Sequence, residues 1–152
     1  MAELSKQKKY DKLYLDIAFR ISEMSHAVRK KVGSVCVKED RIISYGWNGT
    51  PSGFDNNCEV TSNEILSTKL EVMHAEQNTI CKLAKHGESS RGSTLYTTLT
   101  PCFECAKLII QAGIVRVVYL EEYPYAGHSG EHRQMGKELL KKAGIPCDLW
   151  IE

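Results

Sequence analysis

Residues 93–120 read STLYTTLTPCFECAKLIIQAGIVRVVYL. The first seven are rich in β-branched residues with one tyrosine, and they predict a strand over 93–99. Thr100 reads as a helix N-cap and Pro101 as the first helical residue. That helix runs to about Gln111 and stops near Gly113. Residues 115–120 are almost continuously apolar and predict a strand buried on both faces. Outward from this unit, residues 8–25 put Tyr10, Leu13, Tyr14, Ile17, Ala18 and Ile21 at helical spacings. Residues 33–37 and 41–47 predict an antiparallel hairpin that turns in the KED between them. Residues 46–57, GWNGTPSGFDNN, hold three glycines and a proline. They predict a long irregular loop, of a kind that either carries function or merely connects. A helix is predicted over 74–86 and another over 130–143, the latter ended by Gly144 and Pro146. Residues 147–151 close as a strand. Alternation of strands and helices predicts an α/β fold, a mixed sheet with helices on both faces.

The chain of 152 residues fits one domain, spanning 1–152, and suffices to bury a core without staples. Its 20 basic and 19 acidic residues leave a net charge of +1. That balance argues against tracking along polymeric nucleic acid. No apolar run approaches the length of a membrane span, and the N-terminus MAELSKQKKYDK lacks a signal-peptide core. The expectation is a cytoplasmic protein without membrane contact. In a reducing compartment, cysteines at fixed spacing favour metal or catalysis over disulfides. Of the six cysteines, Cys36, Cys58, Cys81 and Cys147 are isolated and expected to be buried small apolar residues.

Cys102 and Cys105 are different. Three residues apart at a helix start, they point to one side, where the helix dipole favours thiolates. Two thiolates make half a zinc site. His74, which opens another predicted helix, is the candidate third ligand, with Glu76 two residues on. These positions converge if two helix N-termini aim at one ion. Three protein ligands leave a fourth position for water, as in a catalytic zinc site. Glu76 is then free to carry protons. A redox pair would need no H-x-E. A closed structural site would need a fourth ligand such as His26, His86, His128 or His132.

His74-Ala75-Glu76, then 24 residues, then Pro101-Cys102-Phe103-Glu104-Cys105, matches H-x-E…P-C-x-x-C, the signature of zinc nucleobase deaminases. With VGSVCV, GWNGTPSGFDNNCE, HAEQNTI, LYTTLTPCFECAKLIIQAGI and VVYL, the chain from about residue 12 to 151 resembles the deoxycytidylate (dCMP) deaminases. The resemblance implies the cytidine-deaminase-like three-layer α/β/α fold with a five-stranded mixed sheet. It implies one catalytic Zn2+ per subunit, held by His74, Cys102 and Cys105, with Glu76 as the proton shuttle. It implies deamination of dCMP to dUMP and ammonia, feeding thymidylate synthesis. Ala75 and Thr100 match backbone positions that grip the base. Asn48 matches a residue that holds the sugar hydroxyl, although asparagine also simply forms turns. Arg29 of VRKKVG matches a phosphate-binding arginine, with Ser25 and His26 near enough to assist. The resemblance further implies activation by dCTP and inhibition by dTTP, each bound with Mg2+ at a loop that here is Gly46, Asn48, Gly49, Thr50, Pro51 and Gly53. It implies a homo-oligomer, commonly a hexamer.

The chain departs from that pattern at Trp47, where tyrosine is common, and at Gln77, where methionine or leucine is frequent. EEYPYAGHSGEHRQ is atypical, and Tyr123 and Tyr125 either cover the pyrimidine or cap the core. Three alternatives share parts of this pattern. A tRNA or single-stranded DNA deaminase would want a basic, aromatic channel. A free-nucleoside deaminase would not need Arg29. A catalytically silent nucleotide sensor would have no use for Glu76.

Overall fold

Glu39 and Asp40, with φ of 51° and 58°, turn the chain between strands β1 (Gly33–Lys38) and β2 (Arg41–Trp47). Two consecutive residues at positive φ give the hairpin turn whose twist suits a right-handed strand pair. The computed structural model describes residues 5–124 and 127–152. Helix α1 (Lys6–Ser22) precedes the hairpin, and its N-cap Ser5 accepts a hydrogen bond from the Lys8 amide at 3.2 Å. After β2 come β3 (Glu59–Ser62) and β4 (Ile65–Thr68), then α2 (Ala75–His86) and β5 (Thr94–Leu99). Helix α3 (Phe103–Gln111), β6 (Arg116–Glu121), α4 (His128–Lys142) and β7 (Cys147–Leu149) complete the chain.

Five strands form one mixed sheet in the order β2-β1-β5-β6-β7. β1 runs antiparallel to both β2 and β5, whereas β5, β6 and β7 are parallel. Alternate residues of the central strands face opposite layers. Val35, Val37, Tyr96 and Val118 pack beneath α1 with Tyr14, Leu15 and Ala18. Cys36, Leu95 and Val117 pack on the other face with Leu83 of α2, Ile109 of α3 and Leu140 of α4. The result is the expected three-layer α/β/α architecture.

The α2 layer meets the sheet almost backbone to backbone. A Cβ on Gly46 would lie 2.8 Å from the Thr79 amide nitrogen and 2.9 Å from the Ala75 carbonyl oxygen. Ser44 donates to the Thr79 carbonyl at 2.8 Å, and the hydroxyls of Ser34 and Thr79 are paired. This seam fixes the height of α2 above the sheet, and with it the residues at its N-terminus.

Three expectations change. Leu13 is 48% exposed, while Leu15 and Asp11 of the same helix are buried. The hairpin β3–β4 was not expected. Its strands carry little alternation because most of its residues are exposed, and its turn at Asn63 and Glu64 (φ 50° and 63°) lacks the usual glycine. Cys81 is exposed and Cys147 half-buried rather than buried, unlike Cys36 and Cys58.

Buried Asp11 ties α1 to the sheet. Its carboxylate accepts from Arg116 Nη1 (2.8 Å) and Nη2 (2.7 Å), and Oδ1 also accepts from the Tyr96 hydroxyl (2.7 Å). Burial alone would raise its pKa, but Arg116, Tyr96 and Gln7 outweigh burial and hold it below 3.8. The stability it supplies is therefore present above that value and is lost as pH falls through the lower folded pKa. Asp11→Asn is expected to lower unfolding free energy by about 2–4 kcal/mol in urea melts at pH 7. The gap should narrow toward pH 3; a gap of constant size would assign the loss to packing rather than charge.

Candidate active site

Two helix starts supply the reactive side chains. His74 is the N-cap of α2, and its amide donates to Oε1 of Gln77 at 2.7 Å. The departure noted at Gln77 thus closes half of a capping box, which a methionine or leucine could not do. Just before it, Met73 and Gly49 exchange backbone hydrogen bonds of 3.0 and 2.8 Å. They lock the glycine loop to the entry of α2. At the other start, Cys102 is the N-cap of α3 and Cys105 lies in its first turn. Thr100 does not cap this helix. Its hydroxyl turns instead to the Glu121 carbonyl (3.2 Å) and the Glu122 carboxylate (2.9 Å) at the end of β6. Pro101 accordingly precedes the helix instead of opening it.

The His74, Cys102 and Cys105 donor atoms all lie within 4.8 Å of one another. His74 Nδ1 is 3.4 Å from each sulfur. A tetrahedral zinc with bonds of about 2.3 Å to sulfur and about 2.0–2.1 Å to nitrogen would set those donors about 3.5 Å apart. The residues fit the ion. Two helix N-termini favour negative charge at this point. Cys102 is held down to about 3, first by its hydrogen bond with Cys105 and further by His74, against burial. Cys105 keeps its proton, pushed well above the ordinary thiol value by the same hydrogen bond and by burial. The bond to Cys102 raises His74 against the opposing effect of burial.

Glu76 is 2% exposed. Its Oε2 lies 3.7 Å from Cys105 Sγ, and the Thr97 hydroxyl approaches Oε1 at 3.4 Å. It points at the ligand cluster without joining it. Behind α3, helix α4 presses on the same segment. A Cβ on Gly136 would fall 2.6 Å from the Pro101 carbonyl oxygen, and Arg133 donates to the Thr100 carbonyl.

These residues open onto a cleft of ≈ 820 Å³ that His74, Ala75, Glu76 and Cys102 share with Asn48, Arg29 and Tyr123. Arg29 is fixed by a 3.1 Å hydrogen bond to Thr68 Oγ1. Asn48 accepts from the Val32 amide and donates to the Lys30 carbonyl, both at 2.8 Å, so it braces the Arg29 loop. Ser25 and Thr100 do not line the cleft. Ser25 donates to the Asn48 carbonyl at 2.7 Å, and Thr100 is fully buried. Tyr123 lies under Arg133, 4.9 Å from guanidinium carbon to ring centre. Tyr125 lies outside the described residues.

Of the glycine loop, only Asn48 reaches the cleft wall. Gly46 packs against α2, Gly49 pairs with Met73, Thr50 donates to the Asp55 carbonyl at 2.7 Å, and the Pro51 carbonyl accepts from Phe54 at 3.1 Å. Gly53, at φ 90°, turns in open space. Sequence reasoning missed several cleft residues, Arg133 and Glu59 among them; Lys30, beside Arg29 in the basic VRKKVG run, also lines the cleft and pairs with Glu121. Arg133 sits in the stretch already noted as atypical, but nothing local marks a residue that the tertiary fold alone swings inward.

A family model described as the cytidine and deoxycytidylate deaminase zinc-binding region matches residues 8–121. Deoxycytidylate deaminase of Mus musculus is 34% identical over 155 residues, covering 95% of this chain and 84% of that one. The phage T4 enzyme of the same name is 32% identical, covering 86% and 84%. The crystal structure of dCMP deaminase from cyanophage S-TIM5, in complex with dCMP and dUMP, superposes with a TM-score of 0.81 at 38% identity, covering 97% of this chain and 99% of that chain.

Zinc must displace the proton of Cys105 and, where His74 is charged, a second from the imidazole. Zinc affinity is expected to rise about tenfold per pH unit near and above neutrality, and more steeply below it. Competition against a chromophoric chelator between pH 6 and 8 measures the slope. A flat profile would mean that no proton leaves and that both thiols are already ionised.

Proposed function

The chain belongs to the cytidine and deoxycytidylate deaminase family, and from that premise we propose that it deaminates dCMP hydrolytically to dUMP and ammonia. The observation that carries this reading is one cleft holding a His-Cys-Cys cluster, the buried carboxylate of Glu76 and a cation at Arg29. A phosphate monoester of about −1.5 to −2 charges needs such a cation. Relatives of about one-third identity bear the name deoxycytidylate deaminase.

Zinc held by His74, Cys102 and Cys105 supplies, when bound, Lewis-acid activation of water. Glu76 does the proton work. It accepts a proton as the water oxygen bonds to C4 of cytosine, and it delivers that proton to N3. The second proton of the same water passes through the carboxylate to the exocyclic nitrogen. The C4–N bond then breaks, the C4 carbonyl remains and ammonia leaves. Burial of Glu76 on the first turn of α2 keeps it in one orientation through both transfers. Ala75 lines the base end of the cleft, and Arg29 carries the phosphate end.

The same reading includes dCTP activation and dTTP inhibition with Mg2+ at the glycine loop, of which Asn48 alone reaches the cleft. It includes a homo-oligomer, for which the hexamer is the expectation. Support for assembly comes from the β3–β4 hairpin, where Val60, Ile65 and Leu66 are 46%, 67% and 41% exposed. A two-stranded hairpin of this kind is marginal in water without a covering surface. The dUMP would feed thymidylate synthesis in the cytoplasm, where the six free thiols remain reduced. No helix among the described residues is long and apolar enough to cross a membrane.

Side-by-side assays of dCMP, cytidine, dCTP and a cytosine-containing oligonucleotide test the substrate class; preference for the oligonucleotide would overturn the reading. Glu76→Gln is expected to lower kcat by at least about 10²-fold while bound zinc, measured by atomic absorption, stays at one per chain. Retained turnover would remove Glu76 from its role. Arg29→Ala is expected to raise KM for dCMP about 10–100-fold and to leave cytidine nearly unchanged. Equal effects on both substrates would argue against phosphate contact.

A further inference from the structure

Glu59 is 5% exposed, stands at the first position of β3 and lines the same cleft as His74 and Glu76. Its two oxygens are used differently. Oε1 accepts from the backbone amides of Val28 (2.8 Å) and Arg29 (3.2 Å). Oε2 is buried and has no hydrogen-bond partner among the described residues. A buried carboxylate oxygen without a donor is costly, and native proteins seldom keep one unless a ligand completes it. The surroundings of Glu59 are built. Its register partner across the hairpin is Thr68, whose hydroxyl takes the Arg29 guanidinium at 3.1 Å. One small assembly therefore carries both the cation of the cleft and the unfilled acceptor.

We propose that Oε2 of Glu59 accepts the 3′-hydroxyl hydrogen of the bound nucleotide and so restricts the site to mononucleotides whose 3′ oxygen is unsubstituted. This rests on the dCMP reading above. A carboxylate can only accept. The substrate has two kinds of donor, the exocyclic amine and the 3′-hydroxyl. In the mechanism above the amine faces Glu76, and the phosphate is an anion that the carboxylate repels. The sugar hydroxyl remains, and Asn48, the other residue matched to it, already accepts from the Val32 amide and donates to the Lys30 carbonyl. Its location agrees, because Glu59 braces the backbone of Arg29, and the sugar adjoins the 5′-phosphate. A 3′-phosphodiester would bring no donor and would set a second negative charge against Glu59, out of bulk water, where like charges repel strongly. The residue thus admits the mononucleotide and rejects the polynucleotide by the same atom, a contact and a repulsion acting together.

Glu59→Gln keeps an oxygen for the Val28 and Arg29 amides but offers the ligand an NH₂, which cannot accept. Calorimetry on the zinc-loaded full chain would compare dUMP, 2′,3′-dideoxyuridine 5′-monophosphate and deoxyuridine 3′,5′-bisphosphate. The wild type is expected to bind dUMP about 10–100-fold more tightly than the dideoxy analogue. In Glu59→Gln that ratio should fall to within about threefold, with no loss of dideoxy affinity and the bisphosphate gaining relative to dUMP. Equal weakening of dUMP and the dideoxy analogue would make Glu59 only a brace of the loop and overturn the proposal. If the variant does not fold, the wild-type ratio decides, and a ratio near one overturns it. A folded, zinc-loaded wild type that neither binds dUMP nor turns over dCMP would instead sink the substrate reading, and this proposal with it.

Discussion

Two helix N-termini brought to one point are the constraint on which the rest of this molecule depends. α2 delivers His74 and Glu76, and α3 delivers Cys102 and Cys105, so that one imidazole nitrogen lies 3.4 Å from both sulfurs. Each helix start also exposes unpaired amides and the positive end of a dipole, which favour the thiolates a metal requires. Neither helix could hold the cluster alone. The fold's task is to fix the height and tilt of both.

It does so with close backbone contacts. Gly46 lets β2 touch the first turns of α2, and Gly136 lets α4 touch the Pro101–Cys102 segment. Any side chain at either position would push directly on the start of α2 or α3. The polar seam of Ser34, Ser44 and Thr79 has the same effect with hydrogen bonds, and in a buried layer these lose much if broken. On the far face, Asp11, Tyr96 and Arg116 tie α1 to the centre of the sheet. The sheet is thus tied to helices on both of its faces, and the cleft opens beside the starts of α2 and α3.

Much of this was legible residue by residue. The strand–helix–strand unit at 93–120 emerged within a residue or two, because apolar β-branched runs and a bounded helical period are strong local signals. The cysteine pair and the H-x-E were legible because their chemistry is written in residue type and spacing. Other features were not. Thr100 has the side chain of a cap, yet its hydroxyl is captured by the end of β6, 21 residues away, a partner no local pattern announces. Leu13 sits on the apolar period of α1 yet faces outward, while Asp11 faces inward because Arg116 and Tyr96 wait for it across the sheet. The β3–β4 hairpin hid because exposed strands need no alternation.

By itself the sequence determined the class of fold, the His-Cys-Cys cluster able to hold a metal and the carboxylate beside it. These depend on residue identity and on spacings within one turn or one hairpin, which covalent geometry alone converts into direction. Only the tertiary structure decided which residues share the cleft. Arg133, Lys30 and Glu59 arrive from α4, the segment before β1, and β3, and Ser25 and Thr100 fall behind its wall. Such meetings are set by how layers pack over long separations, where no short stretch of chain contains the distance.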